Sequence, residues 1–181
     1  MKSLRRTCLA ILAGAMTFST AAYAGAESGP YIGAGIGQSS IELKGYNRAV
    51  SGDDSAYKLV LGYNFGLLPL LDLGIEGAYV DFGKINGGGV EYKQTAWNGF
   101  GLVGLSLGPI GLFGKLGLAA WDADTTIASV TTTTSGTDSA YGIGARLQLG
   151  PISGRLEYEA FDIEGTKDNS MTSVSLLYTF F

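Results

Sequence analysis

The sequence predicts an all-β protein, an eight-stranded antiparallel up-and-down transmembrane β-barrel, on three observations. Apolar and polar residues alternate in segment after segment, as in YKLVLGYNF (57–65) and SVSLLYTFF (173–181); period 2 is the mark of strands with two unlike faces. Tight proline turns recur in GLLPLLD (Pro69), LGPIG (Pro109) and LGPIS (Pro151), 40 and 42 residues apart. Polar stretches rich in Gly, Thr and Asp lie between them, at 43–54, 83–93, 122–138 and 163–170. Short turns on one side and long loops on the other are the asymmetry of barrels that cross a membrane. A period near 40 also suits helical and propeller repeats. The alternation excludes the former, and propeller signatures are absent.

In chain order, the first element is a leader. Lys2, Arg5 and Arg6 precede an apolar run from Cys8 to Phe18, and Ala22-Tyr23-Ala24 supplies an A-x-A cleavage pattern. This is a secretory signal peptide over 1–24, cleaved before Gly25. The run is well short of the ~20 residues a spanning helix needs. Cys8, the only cysteine, lies inside the leader, so the mature chain is expected to have neither disulfide nor thiol chemistry. Removing the three leader cations from the 12 basic residues leaves nine against 16 acidic ones, a net charge of −7. That excludes nucleic acid as a partner, since its binding rests on basic patches. The remaining residues, 25–181, suit one domain. Gly and charges interrupt every later apolar run, so no transmembrane helix is expected.

Strands follow near 30–41, 55–65, 71–82, 95–107, 110–121, 139–149, 152–162 and 171–181. In the second, Tyr57, Leu59, Leu61, Tyr63 and Phe65 share one face, and Lys58, Val60, Gly62 and Asn64 the other. In the sixth, Tyr141, Ile143, Ala145, Leu147 and Leu149 oppose Gly142, Gly144, Arg146 and Gln148. In the seventh, Leu156, Tyr158 and Ala160 oppose Arg155, Glu157 and Glu159. The last presents Val174, Leu176, Tyr178 and Phe180 on one side.

A soluble carrier barrel would turn the charged face outward; a membrane barrel turns it inward. Aromatics near both ends of the apolar face, Tyr57 on one side and Tyr63 and Phe65 on the other, favour the membrane. So do glycines on the charged face: Gly33, Gly35, Gly37, Gly62, Gly74, Gly117, Gly142 and Gly144. An eight-stranded barrel has room only for packed side chains, and glycines leave space for long ionic ones. The interior is then expected to hold Lys58, Glu76, Lys115, Arg146, Arg155, Glu157 and Glu159. A turn centred near residue 67 sets Lys58 opposite Glu76, and a Pro151–Ile152 turn sets Arg146 opposite Glu157. Buried ions are expected to pair, giving an ionic plug; a narrow conducting path is the alternative.

The alternating aromatic end, with Tyr178 and Phe180 on one face, resembles the C-terminal signature of outer-membrane proteins. The resemblance implies the barrel-insertion machinery as a partner during assembly and leaves Phe181 surplus. More widely, PYIGAGIG, IGLFGKLGLAAWDAD and SGRLEYEAF resemble the first, fifth and seventh strands of OmpA-type and OmpX-type outer-membrane barrels, over roughly 29–181. The barrel is expected alone, without the peptidoglycan-binding domain of the larger members. The resemblance implies a Gram-negative outer membrane, with C-terminus and short turns periplasmic and long loops extracellular.

The sequence contains no histidine. It therefore lacks the usual general base, zinc ligand and Ser-His pair, and resemblance to barrel proteases, phospholipases and lipid A deacylases fails at the chemistry. Glu157 and Glu159 could act as an acid/base pair, but Arg155 beside them favours a salt network. No enzyme, cofactor or metal is expected. The glycines at 87–89 open no helix and make no phosphate cradle. TTTTSGTD (131–138) reads as a flexible exposed tip, or, as in adhesive OmpX-type barrels, as an extension of strands five and six. Lys44, Arg48, Lys84, Lys93 and Lys167 near the outer rim could meet lipopolysaccharide phosphates. The expected protein is a monomer among outer-membrane lipids, structural or surface-interacting through its loops. A narrow channel for small or hydrophobic solutes is the second reading.

Overall fold

The protein, described here from a computed structural model over residues 28–43, 51–66, 70–87, 90–127, 130–163 and 166–180, is a ring of eight strands. They are β1 (Gly29–Leu43), β2 (Ser51–Phe65), β3 (Leu71–Gly87), β4 (Val90–Leu107), β5 (Ile110–Ile127), β6 (Val130–Leu149), β7 (Ile152–Phe161) and β8 (Thr166–Thr179). Each pairs antiparallel with the next, and β1 also pairs with β8, closing the barrel. The expected leader lies outside the described residues, as does Phe181.

Local chemistry sets two of the tight turns. Leu107 pairs with Ile110 and Leu149 with Ile152, so Gly108–Pro109 and Gly150–Pro151 are two-residue turns. Gly108 (φ 62°) and Gly150 (φ 59°) take the left-handed conformation that the first turn position demands, and Pro supplies a fixed φ at the second. This corrects the expected register. With the turn at Gly150–Pro151, Arg146 faces Arg155, and Glu157 faces Gly144. The β2–β3 register is also corrected: Lys58 faces Val80, and Glu76 faces Gly62. Pairing of β2 with β3 runs to Phe65 and Leu73, and the expected turn proline, Pro69, lies outside the described residues.

Two of the expected long loops are strands. β3 and β4 pair as far as Gly87 and Val90, and β5 and β6 as far as Ile127 and Val130. Threonine suits the pleated ladder, and Thr126 and Thr131 meet hydroxyl to hydroxyl at 2.9 Å while Thr133 donates to Asp124 at 2.7 Å. The Thr-rich tip is therefore an extended hairpin. A bulge between Asp81 and Lys84, with Gly83 at φ 80°, breaks the β3–β4 register below the extension.

The alternation of faces is as the sequence predicts. Tyr57, Leu59, Leu61, Tyr63 and Phe65 are exposed on the outer wall, whereas Lys58, Val60 and Asn64 are buried inside. In β8, Val174 and Leu176 are exposed, as is Phe180 just past its end, and Leu177 and Thr179 point inward. Aromatic pairs mark two belts on the outer wall. Tyr79 and Trp97 (5.0 Å) lie towards the hairpin end, and Tyr63–Phe65 (5.0 Å) and Tyr178–Phe180 (4.9 Å) towards the turn end.

Candidate functional site

The buried, inward-facing side chains fall into layers. On the turn side, Tyr31, Val60, Ala78 and Leu177 pack together. Towards the hairpin end lies a larger apolar layer that includes Phe82, Tyr92, Phe100, Trp121, Phe161 and Met171. Phe82 and Phe161 meet edge to face at 5.0 Å. Between the layers sits an ionic cluster. Lys58 Nζ is 2.5 Å from Glu157 and 2.8 Å from Glu159. Lys115 Nζ reaches Glu159 at 2.7 Å, Glu157 at 2.8 Å and Glu76 at 3.3 Å. Arg155 Nη1 is 2.5 Å from Glu76, which also accepts the Tyr31 hydroxyl at 2.8 Å. Three cations thus face three carboxylates, and none of the six side chains is more than 2 % exposed.

Removing any one charge would strand another in low dielectric, where an unpaired ion is costly. The cations gain further contacts from ring faces: Lys115 lies 4.6 Å from the Phe100 centroid, and Arg155 4.8 Å from Tyr31 and 5.2 Å from Phe113. Gly142 makes the space. A Cβ there would sit 3.2 Å from both Glu159 Cγ and Lys115 Cε, tighter than ordinary packing, and at Gly62 it would overlap the Tyr31 ring.

Six of the seven predicted interior ions therefore meet in one cluster, with partners drawn from across the barrel instead of across the predicted turns. Arg146 does not join them. It pairs with Asp72 at 2.5 Å and donates to Ser106 at 2.9 Å, while Ser106 also bonds Asp72. Sequence reasoning missed Asp72, although its parity with Glu76 placed it on the inner face. It also missed the apolar layer.

At the hairpin end the wall becomes an extension. β7 stops at Phe161, opposite Ala140, whereas β6 continues to Val130. Among the described residues, the β6–β7 ladder ends at Ala140 and Phe161, and just beyond it Asp162 donates its N–H to the Ser139 carbonyl at 2.9 Å. The other side of β6 is held by β5 in unbroken register. Trp121 anchors the inner face, donating Nε1–H to Asp138 at 2.7 Å and lying against Gly136. Below, the rim is salt-linked. Lys84 pairs with Glu91 at 3.2 Å and Lys93 with Asp81 at 3.8 Å. Asp54 accepts the backbone N–H groups of Lys84 (2.6 Å) and Ser55 (2.7 Å), which hold its carboxyl below the usual carboxylate range.

A closed ring of eight strands, apolar outside between aromatic belts and ion-paired inside, defines a transmembrane β-barrel. The chain belongs to the outer membrane protein beta-barrel domain family, which it matches over residues 10–180. It is thus an outer-membrane protein. No curated protein matches its sequence. Among solved structures it is similar to Ail, the attachment invasion locus protein of Yersinia pestis. Identity is 17%, the TM-score is 0.65, and the match covers 85% of this chain and 100% of Ail. Neisserial surface protein A (NspA) is similar at 12% identity and a TM-score of 0.66, covering 84% of this chain and 98% of NspA. The outer membrane enzyme PagL is similar at 10% identity and a TM-score of 0.50, covering 83% and 99%. At these identities the likeness is one of fold.

Proposed function

We propose that this protein is a non-enzymatic outer-membrane barrel with a closed lumen, whose extended sheet serves surface interaction as an adhesin does. The observation that carries this reading is the β6 edge. From Val130 to Thr137 it holds no charge and no proline, and the pairing with β5 shows no bulge, so the usual protections of an exposed edge are missing. An edge of this kind takes up an extended segment of another chain as an added strand. Ail and NspA are named for attachment and for the cell surface, and lend the fold a precedent.

In this reading the turn end and the C-terminus face the periplasm, and the extension faces outward. The leader over 1–24 directs export, and Val174, Leu176, Tyr178 and Phe180 form the assembly signal read by the insertion machinery. Of the rim cations proposed to meet lipopolysaccharide, Lys84 and Lys93 already have carboxylate partners. Lys44 and Arg48 lie outside the described residues, and so does the Lys167 side chain. The family fold also hosts an enzyme, but Glu157 and Glu159 are each held by lysines, and no histidine is present to share acid/base work.

Two measurements test the proposal. The refolded mature protein in planar bilayers is expected to give no single-channel steps, because the ionic cluster and the apolar layer lie in series across the lumen. Regular steps would restore the channel reading. Cells displaying the native chain are expected to adhere to an epithelial monolayer several-fold better than cells displaying Ser135→Pro/Thr137→Pro. Equal adhesion would remove the edge from the function.

A further inference from the structure

Four polar side chains face one another across the lumen from opposite walls. β4 and β8 stand four strands apart in a ring of eight, so their inward residues are opposed. Asn169 on β8 donates its Nδ2–H to Gln94 Oε1 on β4 at 3.0 Å, and the Tyr92 hydroxyl donates to the same oxygen at 2.9 Å. Asn98 lies four residues nearer the turn end than Gln94 on β4, and Ser173 four nearer than Asn169 on β8. The strands of a barrel share one tilt, so equal steps down two opposite strands keep their residues opposed. Asn98 and Ser173 therefore form a second facing pair.

The first pair meets, and the second does not. Both amide atoms of Asn98 and the Ser173 hydroxyl have no hydrogen-bond partner among the described residues, and neither residue is more than 5 % exposed. Side-chain length accounts for the difference. Asn is one methylene shorter than Gln, and Ser is one atom shorter than Asn. In a ring of even width, with about 1.5 Å lost for each missing atom, ends that meet at 3.0 Å in the first pair stand about 6 Å apart in the second. That span is about two hydrogen bonds of ~2.8–3.0 Å laid end to end.

We propose that a buried water bridges Asn98 and the Ser173 hydroxyl, as a fixed part of the plug. The proposal rests on the closed lumen of the reading above and goes beyond it by naming what the slot binds. A buried amide with neither donor nor acceptor met is costly, and one water with about two to four bonds removes that cost for a small loss of entropy. The partners suit it. The amide offers a donor and an acceptor, and the hydroxyl offers either, so a single water is matched at both ends. The site also has room, because Asn98 lies in register between Ala78 and Ala119, and Ser173 lies beside Gly37. Ala96 and Met171, the inward residues between the two pairs, belong to the apolar layer, which separates this water from the bulk beyond the hairpin end. Glu157 is the other register neighbour of Ser173, so the bridge starts beside the ionic cluster.

The test uses the mature chain refolded into lipid nanodiscs, with Asn and Gln side-chain amides isotope-labelled for NMR. Magnetisation transfer from water to the Asn98 amide is expected to carry the sign of a long-held molecule, unlike that at the exposed Gln38 amide. Absence of that transfer overturns the proposal. Urea unfolding gives a second reading, because a dry slot and a bridged one respond with opposite signs. Asn98→Leu keeps the shape and deletes the amide. In a dry slot it removes two unmet polar atoms, and the midpoint rises. With the bridge present the midpoint is expected to fall by roughly 0.5 M, a hydrogen bond of ordinary net strength divided by the usual urea slope. A rise overturns the proposal.

Ser173→Ala is expected to lower the midpoint too, and the double variant to fall no further than the larger single, since both act through one water. Additive losses overturn the bridge. Asn98→Gln/Ser173→Asn copies the side-chain lengths of the pair above. It is expected to close the span directly, abolish the water signal at position 98 and keep at least the native midpoint. Persistence of the water signal in that variant overturns the span. Heat-dependent gel mobility verifies a closed barrel in each case. Single-channel recording of the native protein separates the two readings: without steps and without the Asn98 signal only the bridge falls, whereas regular steps remove the closed lumen and the bridge together.

Discussion

Glu76→Gln is expected to destabilise the folded barrel by about 3–5 kcal/mol, the cost typical of breaking a buried ion pair from one side. Glu76 accepts from Arg155, Lys115 and the Tyr31 hydroxyl at once. The substitution keeps the shape and one acceptor but leaves the cluster with three cations and two carboxylates. Asp124→Asn on the exposed hairpin retains the acceptor for Thr133 and is expected to stay within ~0.5 kcal/mol. Urea unfolding from vesicles, followed by tryptophan fluorescence, compares the two. Adding Arg155→Met to Glu76→Gln restores neutrality, so the double variant is expected to lose less than the sum of the singles. Equal, small effects for Glu76 and Asp124 would mean that water reaches the cluster, as in an open pore.

The second large effect is expected at the closing strand. Tyr178 and Phe180 stand on the outer wall with ring centroids 4.9 Å apart, and the residues between and before them, Thr179 and Leu177, are buried inside. Tyr178→Ser/Phe180→Ser removes the turn-end aromatic belt from the strand that completes the ring. Insertion into membranes carrying the assembly machinery is expected to slow by on the order of tenfold or more, each 1.4 kcal/mol on the barrier being one factor of ten. Deleting Phe181 is expected to leave the rate nearly unchanged. Blocked assembly on deleting Phe181, with normal insertion of the double serine variant, would move the signal by one residue.

What could be read from the sequence was the assignment of faces, and the reason is physical. A strand with charge on one side and Leu, Ile or Tyr on the other has only one way to sit in a membrane wall, so the inward direction of Lys58, Lys115 and Glu157 follows from parity alone. Register is a different matter, because it depends on which residues form each turn. Moving the last turn from Pro151–Ile152 to Gly150–Pro151 shifts the β6–β7 pairing by two residues and exchanges Glu157 for Arg155 as the neighbour of Arg146. Partners across the barrel, such as Lys58 with Glu157 and Glu159, were beyond local reasoning altogether, since they lie 99 and 101 residues apart.

The apolar layer escaped notice for another reason. On β4, Ala96, Phe100 and Leu102 point inward while Trp97, Val103 and Leu105 point outward, so both faces are apolar and the period-2 signal vanishes. The Thr-rich hairpin was legible in part. Its polarity suggested a loop, and its β-branched side chains suggested a strand; the hydrogen-bonded ladder with β5 decided for the strand.

The pairing of Tyr31 with Thr179 also bears on timing. The first strand waits for the last, so the ring cannot shut until the polypeptide has been synthesised through its eighth strand. Seven strands can form hairpins with neighbours already made, but the closing seam joins residues about 150 positions apart. The entropy of bringing such distant segments together rises only slowly with length, whereas contacts of this range slow folding. During that interval β1 has an open edge, the condition in which strands aggregate. Holding the chain unfolded until its end is available, and supplying a temporary edge for β1, is therefore a task that this topology passes to its escorts in the envelope.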